Sequence, residues 1–334
     1  MEHKAGWQIK RGELKKYFLQ EEEYWRIFNS FFRNGKKRNT YKFGLLKSIL
    51  DNALNYEKKN SKYYLTYRNI FVRFTENYWN LIVKYNLRQM RRDGKSEKSK
   101  IETILEKEVD NNLIAYESLS LNEKENIIQQ VEKECKQYVL GALYEDLEGC
   151  VYEFDLKKEG IYLSEGAFNF IFKYKPELEN LNYYYWAKFL EEVNNEALTT
   201  KLLDKLELST PKRADLSIYR EILFNEFKEN ACFYCGKKLT SNIHVDHFIP
   251  WSFTKDDKIW NFVLSCPSCN IKKSNHLAPK SYIKQLNYRN HAMEKSEINS
   301  LQDDFRTYTP DIIEKMWEYA KKSGYTVTKE DVNE

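Results

Sequence analysis

Long apolar runs are missing from this chain of 334 residues: no stretch approaches the ~20 residues that a bilayer span requires. Cysteine is scarce as well. Six cysteines in a chain of this length are too few for a disulfide scaffold, and four of them fall in two close pairs, which favours a metal site. The amino terminus, Met1-Glu2-His3-Lys4-Ala5-Gly6-Trp7, has neither a basic-then-apolar leader nor a lipidation motif, so a cytoplasmic protein with no membrane partner is expected. No internal repeat or low-complexity tract stands out. Disorder is excluded too, because 42% apolar and 31% charged residues suffice for one large or two ordinary domains with real cores.

An excess of one charge sign is also lacking, since 54 Lys+Arg nearly cancel 50 Asp+Glu to leave +4. That balance hides opposed segments. Residues 1–100 hold 24 basic against 10 acidic residues, 101–227 hold 14 against 26, 228–289 hold 10 against 4, and 290–334 hold 6 against 10. Basic surface in separate segments suits a polyanionic partner, whose phosphates dominate affinity. For residues 1–100 a general lysine-rich composition explains the excess equally well.

The hydrophobic spacing makes the fold class mainly α with a small α+β element. Leu45, Leu46, Ile49, Leu50, Ala53 and Leu54 recur with helical period, as do Ile70, Phe71, Phe74, Tyr78, Leu81, Ile82 and Tyr85. Ile127, Ile128, Val131, Tyr138 and Val139 define a further amphipathic helix that carries Cys135 on its apolar face as a small core residue, and Cys150 has the same reading. Val151 to Leu163 reads as a hairpin, and Arg91 to Lys98 as an exposed linker. The expected organisation is a basic helical domain at 1–95 for DNA or partner recognition, and an acidic, mainly helical domain at 96–227 with a β-hairpin near 151–163. A cysteine-bearing domain at 228–290 and a helical tail at 291–334 complete it.

Cys232-Phe233-Tyr234-Cys235-Gly236 and Cys266-Pro267-Ser268-Cys269 are two C-x-x-C knuckles, in which a tight turn points both thiolates at one ion. Four thiolates close a structural zinc site, one ion per chain, with no position open to water. A redox pair is the lesser alternative, because no βαβ pattern surrounds either knuckle. Between the knuckles lie Ile243-His244-Val245-Asp246-His247-Phe248-Ile249-Pro250 and Asn261, and Asn270-Ile271-Lys272-Lys273 follows the last cysteine. Alternation gives a strand before His247 and another after Asn261, with a helix beyond Pro267. Trp251 and Trp260 bracket the connecting loop and are expected to cap a small core.

Val245-Asp246-His247-Phe248-Ile249-Pro250, Asn261 and Cys266-Pro267-Ser268-Cys269-Asn270-Ile271-Lys272-Lys273 together resemble the four-cysteine HNH endonucleases, whose fold is the ββα-metal finger. The spacing from Asp246 to Phe253 and on to Asn270 is similar to the HNH domain of the RNA-guided CRISPR nuclease. Asn39-Thr40-Tyr41-Lys42-Phe43-Gly44-Leu45-Leu46 resembles leader segments of some bacterial HNH proteins of restriction and phage-defence type.

The resemblance implies that His247 is the general base, and that Asp246 and Asn270 hold one catalytic Mg2+ or Mn2+ per chain. It makes Asn261 the residue that holds His247 across the loop. A carboxylate with an amide oxygen leaves most of an octahedral shell to water and phosphate, and a neutral imidazole is a competent base at cellular pH. Histidine often stands at the last metal-ligand position in the wider family, where this chain has Asn270. His244, on the same strand face as Asp246, is expected to support a ligand from behind or to pack, with direct assistance to the metal or a phosphate as the lesser alternative. Lys272, Lys273, His276 and Lys280 are the candidate contacts to nucleic-acid phosphates.

The implied activity is DNA phosphodiester hydrolysis leaving 5′-phosphate and 3′-hydroxyl ends, by nicking or, as a homodimer, by double-strand cleavage. A restriction or antiphage setting, with a regulatory protein partner, goes with it. Two alternatives stay open: a non-catalytic zinc-dependent nucleic-acid-binding protein, and an HNH-type nuclease acting on RNA.

Overall fold

The computed structural model describes residues 6–35, 37–92, 97–107, 115–208, 215–296 and 299–328. They form two compact units, Met1–Pro211 and Lys212–Glu334. Of the linker expected at Arg91 to Lys98, residues 93–96 lie outside the described residues, and the flanking ones are exposed.

Helices dominate the first unit: α1 (Glu21–Asn34), α2 (Tyr41–Asp51), α3 (Tyr67–Trp79), α4 (Lys100–Lys107), α5 (Leu121–Asp146), α6 (Glu165–Lys173), α7 (Lys175–Val193) and the short α8 (Glu196–Thr199) and α9 (Leu202–Glu207). The expected apolar stripes are its core. Ile70, Phe71, Phe74 and Tyr78 of α3, and Val131, Cys135 and Val139 of α5, have no exposed surface. Cys135 lies with its sulfur 3.9 Å from the Tyr41 hydroxyl, so packing accounts for it.

Five short strands accompany the helices: β1 (Arg11–Gly12), β2 (Glu57–Lys59), β3 (Lys62–Thr66), β4 (Tyr152–Asp155) and β5 (Gly160–Ser164), joined antiparallel in the order β1-β4-β5-β3-β2. The β4–β5 hairpin pairs Tyr152 with Leu163 and Phe154 with Ile161. The sequence pattern showed that hairpin but not the strands flanking it. Thr66 and Ser164 end β3 and β5 and cap the helices that follow, their hydroxyls accepting from the backbone N–H of Asn69 and Ala167. Ser120 and Glu123 form a capping box that starts α5.

No boundary between compact units falls near residue 95. β3 pairs along its length with β5 across that position, and ion pairs also cross it: Arg26 with Glu148, Lys42 with Asp146, Lys62 with Glu153, Arg68 with Glu125 and Arg91 with Glu192. These pairs set basic side chains of residues 1–100 against acidic ones further along the chain, within the first unit.

The second unit contains α10 (Ser217–Glu221), β6 (His244–His247), α11 (Trp251–Thr254), β7 (Phe262–Ser265), α12 (Pro267–Lys273), α13 (Tyr282–Glu294), α14 (Asn299–Phe305) and α15 (Ile312–Lys322). β6 and β7 are antiparallel, with Asp246 opposite Val263 and His247 opposite Phe262. Phe248, Ile249, Ile259, Trp260 and Leu264 form a small core beneath them. The C-terminal residues are part of this body: Trp317 Nε1 donates to Ala278 O at 2.8 Å, and Leu277 N to Thr326 O at 2.9 Å. No helix among the described residues is long and apolar enough to cross a membrane.

Candidate active site and zinc site

The four cysteines of the knuckles bring their sulfurs within 4.8 Å of one another, with Cys235 and Cys266 3.9 Å apart. Four sulfurs at ~2.3 Å from one zinc ion stand about 3.8 Å apart, so the donor set fits tetrahedral zinc. Local chain chemistry builds it. The first knuckle turns through Gly236 at φ +71°, whose N–H donates to Cys232 O at 2.8 Å. Phe233 N–H donates to Leu264 O at 2.9 Å and ties that knuckle to β7. Cys266 precedes α12, and Pro267 supplies its first turn. The Ser268 hydroxyl holds the Cys266 thiol down at about 6, whereas burial pushes Cys235 and Cys269 upward. A divalent cation at the centre supplies the charge that four thiolates together need.

Beside this staple, β6 and α12 pack with matching periodicities. His244 and Asp246, two apart on a strand, share one face, and Asn270 and Lys273, three apart on a helix, share another. Asn270 Nδ2 lies 3.0 Å from His244 Nδ1, and Lys273 Nζ lies 3.1 Å from Asp246 Oδ2. The Tyr234 hydroxyl donates to Asp246 Oδ2 at 2.6 Å. Asp246 is thereby a carboxylate only 8% exposed, held from two sides. His244 therefore meets Asn270, not the Asp246 carboxylate.

His247 follows at the end of β6, 5% exposed, with Nε2 2.7 Å from Asp257 Oδ1 and its ring edge-on to Phe262 at 4.6 Å. Asn261, fully buried, accepts from Ile249 N at 2.9 Å and donates to Ile249 O at 3.0 Å, while its own carbonyl accepts from Phe248 N at 2.7 Å. It grips the two residues after His247 without touching the imidazole. Behind it, the half-buried Arg289 donates to Phe262 O at 2.6 Å and Asn290 to Trp260 O at 2.8 Å, so α13 fixes the backbone on both sides of Asn261.

The proposed phosphate contacts divide. Lys272 is exposed on α12. Lys273 is 4% exposed and turned inward, donating to His247 O at 2.7 Å as well as to Asp246, so the expected phosphate contact is corrected to an internal ion pair. Lys280 is held by Glu314 at 2.8 Å and Glu318 at 2.6 Å, which neutralise its charge on the surface. His276 Nδ1 lies 2.7 Å from Thr326 Oγ1. Trp260 is wholly buried in the core of the finger, and Trp251 is half-buried.

Sequence reasoning missed Tyr234 and Asp257. Tyr234 occupies an x position of the first C-x-x-C knuckle, which the spacing leaves without a role. Asp257 sits in a loop with Asp256, ten residues after His247, and that acidic pair was the available signal.

Residues 232–279 match the family model described as HNH endonuclease, and residues 22–146 match a domain of unknown function (DUF8808). A comparison with curated proteins gives no match. The second unit thus carries an HNH-type nuclease domain with a four-cysteine cluster placed for zinc, in a chain that is mainly α. The other match begins in α1 and ends with α5.

Proposed function

We propose that the protein is a metal-dependent endonuclease that hydrolyses DNA phosphodiester bonds and leaves 5′-phosphate and 3′-hydroxyl ends. The observation that carries this reading is the adjacency of a carboxylate-bound imidazole, His247, and the tethered carboxylate of Asp246 on one strand facing α12. Asp246 and Asn270 offer hard oxygen donors from facing elements. The fit rests on that donor set and on the Tyr234 hydroxyl that orients the Asp246 carboxylate, and an ion binding there would have to displace the Lys273 ammonium from it. Mg2+ or Mn2+ bound there would supply Lewis-acid stabilisation of the charge developing on the phosphoryl oxygens.

The chain's own residues do the rest. His247 removes a proton from the attacking water. Asn261 keeps the turn after β6 rigid, so that the imidazole stays in line with the phosphorus. Tyr234 fixes one lone-pair direction of the Asp246 carboxylate. Lys272, exposed beside Asn270, is the candidate contact to a flanking phosphate. A single finger cuts one strand, so double-strand cleavage requires a homodimer or sequential nicks. We place the activity in restriction or antiphage defence, on the resemblance to bacterial HNH proteins of that type, with the first unit selecting the DNA or a regulatory protein.

The test is incubation of the purified full chain with supercoiled, linear and single-stranded DNA and with RNA under Mg2+, Mn2+ or EDTA, beside His247→Ala. Metal-dependent nicking of DNA, lost in the variant while its zinc and DNA affinity persist, is the expected result. Cleavage confined to RNA would replace the substrate, and no cleavage of any nucleic acid would leave a binding protein.

A further inference from the structure

We infer that Asp257 is the positioning residue of the His247 base: it fixes a proton on Nε2 and so assigns the acceptor role toward water to Nδ1. The kinetic part of this inference rests on the endonuclease reading above; the pairing itself does not.

The argument starts from the 2.7 Å separation of His247 Nε2 and Asp257 Oδ1, between side chains only 6% and 15% exposed. An ionised carboxylate has lone pairs and no proton to give, so the nitrogen facing it is the donor. In a neutral imidazole the other nitrogen is then the acceptor. Asp257 therefore selects a tautomer as well as an orientation. Phe262, edge-on to the ring at 4.6 Å, leaves little freedom to rotate away from that choice.

The loop that carries Asp257 is held by contacts on both sides. Asp256 Oδ1 accepts from Asp257 N at 2.9 Å. The next three residues are gripped by Asp304 of α14: Lys258 by an ion pair at 3.5 Å, Ile259 through its N–H at 3.0 Å, and Trp260 through its indole N–H to the Asp304 carbonyl at 3.0 Å. Asp304, 34 positions past Asn270, thus sets where the carboxylate stands. In the proposed step the water oxygen forms the new bond to phosphorus, its proton passes to His247 Nδ1, and the bond to the 3′ oxygen breaks. That oxygen takes a proton from solvent. The imidazolium left behind faces the Asp257 carboxylate, which stabilises it.

The experiment uses the full-length, zinc-loaded chain with 15N-labelled histidine; five histidines make assignment by single substitution practical. In the wild type, His247 should show a ring proton on Nε2, shifted downfield and slow to exchange, with an unprotonated Nδ1. Asp257→Ala and Asp257→Asn should lose that resonance. Both should lower kcat at least about 10-fold with KM for DNA and half-saturating Mg2+ unchanged, and Asp257→Glu should recover part of the loss. Far-UV circular dichroism and zinc content confirm that each variant is folded. A proton on Nδ1 in the wild type, or folded variants with unchanged kcat and an unchanged resonance, overturns the inference. If the wild type cuts nothing yet the resonance is present and Asp257-dependent, the pairing stands and the endonuclease reading falls.

Discussion

Lys273 places its ammonium 3.1 Å from the Asp246 carboxylate and 2.7 Å from the carbonyl oxygen of His247, joining by one side chain the two residues on which the proposed chemistry depends. The pair is 4% and 8% exposed, so neither charge is well hydrated. Removing one partner of a buried pair leaves the other uncompensated, which costs about 3–5 kcal/mol. Lys273→Met, which keeps the apolar stem, should lower the melting temperature of the second unit by several degrees. Mg2+ should recover more of that loss in the variant than it adds to the wild type, because a cation again faces Asp246. Thermal unfolding with and without Mg2+ checks this, and identical responses in both proteins would show that the ion binds elsewhere.

The six cysteines should divide by chemistry. Four surround one candidate zinc position, while Cys135 is fully buried and Cys150 is 5% exposed. Burial pushes the Cys135 thiol up to about 12, so it holds almost no thiolate at neutral pH. Native protein is expected to contain one zinc per chain and to react slowly with a thiol reagent. A strong chelator should release the metal and expose four reactive thiols, with the remaining two appearing only on full denaturation. Cys232→Ser should lose zinc and the fold of the second unit while much of the helical signal of the first persists. Thiol titration beside metal analysis reads all of these; six thiols reactive in the native state would remove the zinc assignment.

Asn261 makes a prediction about geometry. Its side chain occupies both the N–H and the carbonyl of Ile249, in a site with no solvent access. Asn261→Ala leaves two buried backbone groups unpaired, each costing about 1–3 kcal/mol. Asn261→Asp keeps the acceptor toward Ile249 N but sets a carboxylate oxygen against the Ile249 carbonyl, so it should not rescue. Both are expected to lose most of their cleavage rate and to unfold at lower denaturant while retaining zinc. Urea midpoints and single-turnover rates test the two halves, and an Asp variant equal to wild type would show that the carbonyl bond contributes nothing.

The finger was legible because its constraints are local in sequence. Two C-x-x-C turns, an alternating strand and a proline-initiated helix each announce themselves within a few residues, and their order sets Asp246 and His247 on β6, Asn261 just before β7 and Asn270 on α12. The hairpin of the first unit was legible for the same reason, with Gly160 at its return. Partners chosen across the fold were not legible. Lys273 looks like any lysine in a basic run, yet helix period turns it toward β6 and a buried carboxylate captures it. Lys280 is likewise claimed by two glutamates of α15. β1 and β2 were missed because strands of two and three residues carry little periodicity. The charge segments marked real composition but not compact units, because β3–β5 pairing and ion pairs such as Lys42–Asp146 close over distances no local pattern encodes.

Asp304 links the C-terminal helices to the loop bearing Asp257, and its titration gives a stability prediction with a definite sign. Burial raises its carboxyl above the ordinary carboxylate value, with Lys258 only partly opposing. A raised folded value means that the neutral form is favoured in the native state. The stabilisation from this group is therefore fully present below the unfolded value and is lost as pH rises through the folded one. Asp304→Asn keeps an acceptor for Ile259 N–H and cannot ionise. Relative to wild type, the variant should be at its greatest disadvantage near pH ~4, and that disadvantage should shrink toward pH ~7, where the wild-type carboxylate is charged at a cost. Urea midpoints of the two proteins at both values measure the difference. A disadvantage that grows toward neutrality would mean that the Lys258 pair outweighs burial, and would reverse the sign assigned to Asp304.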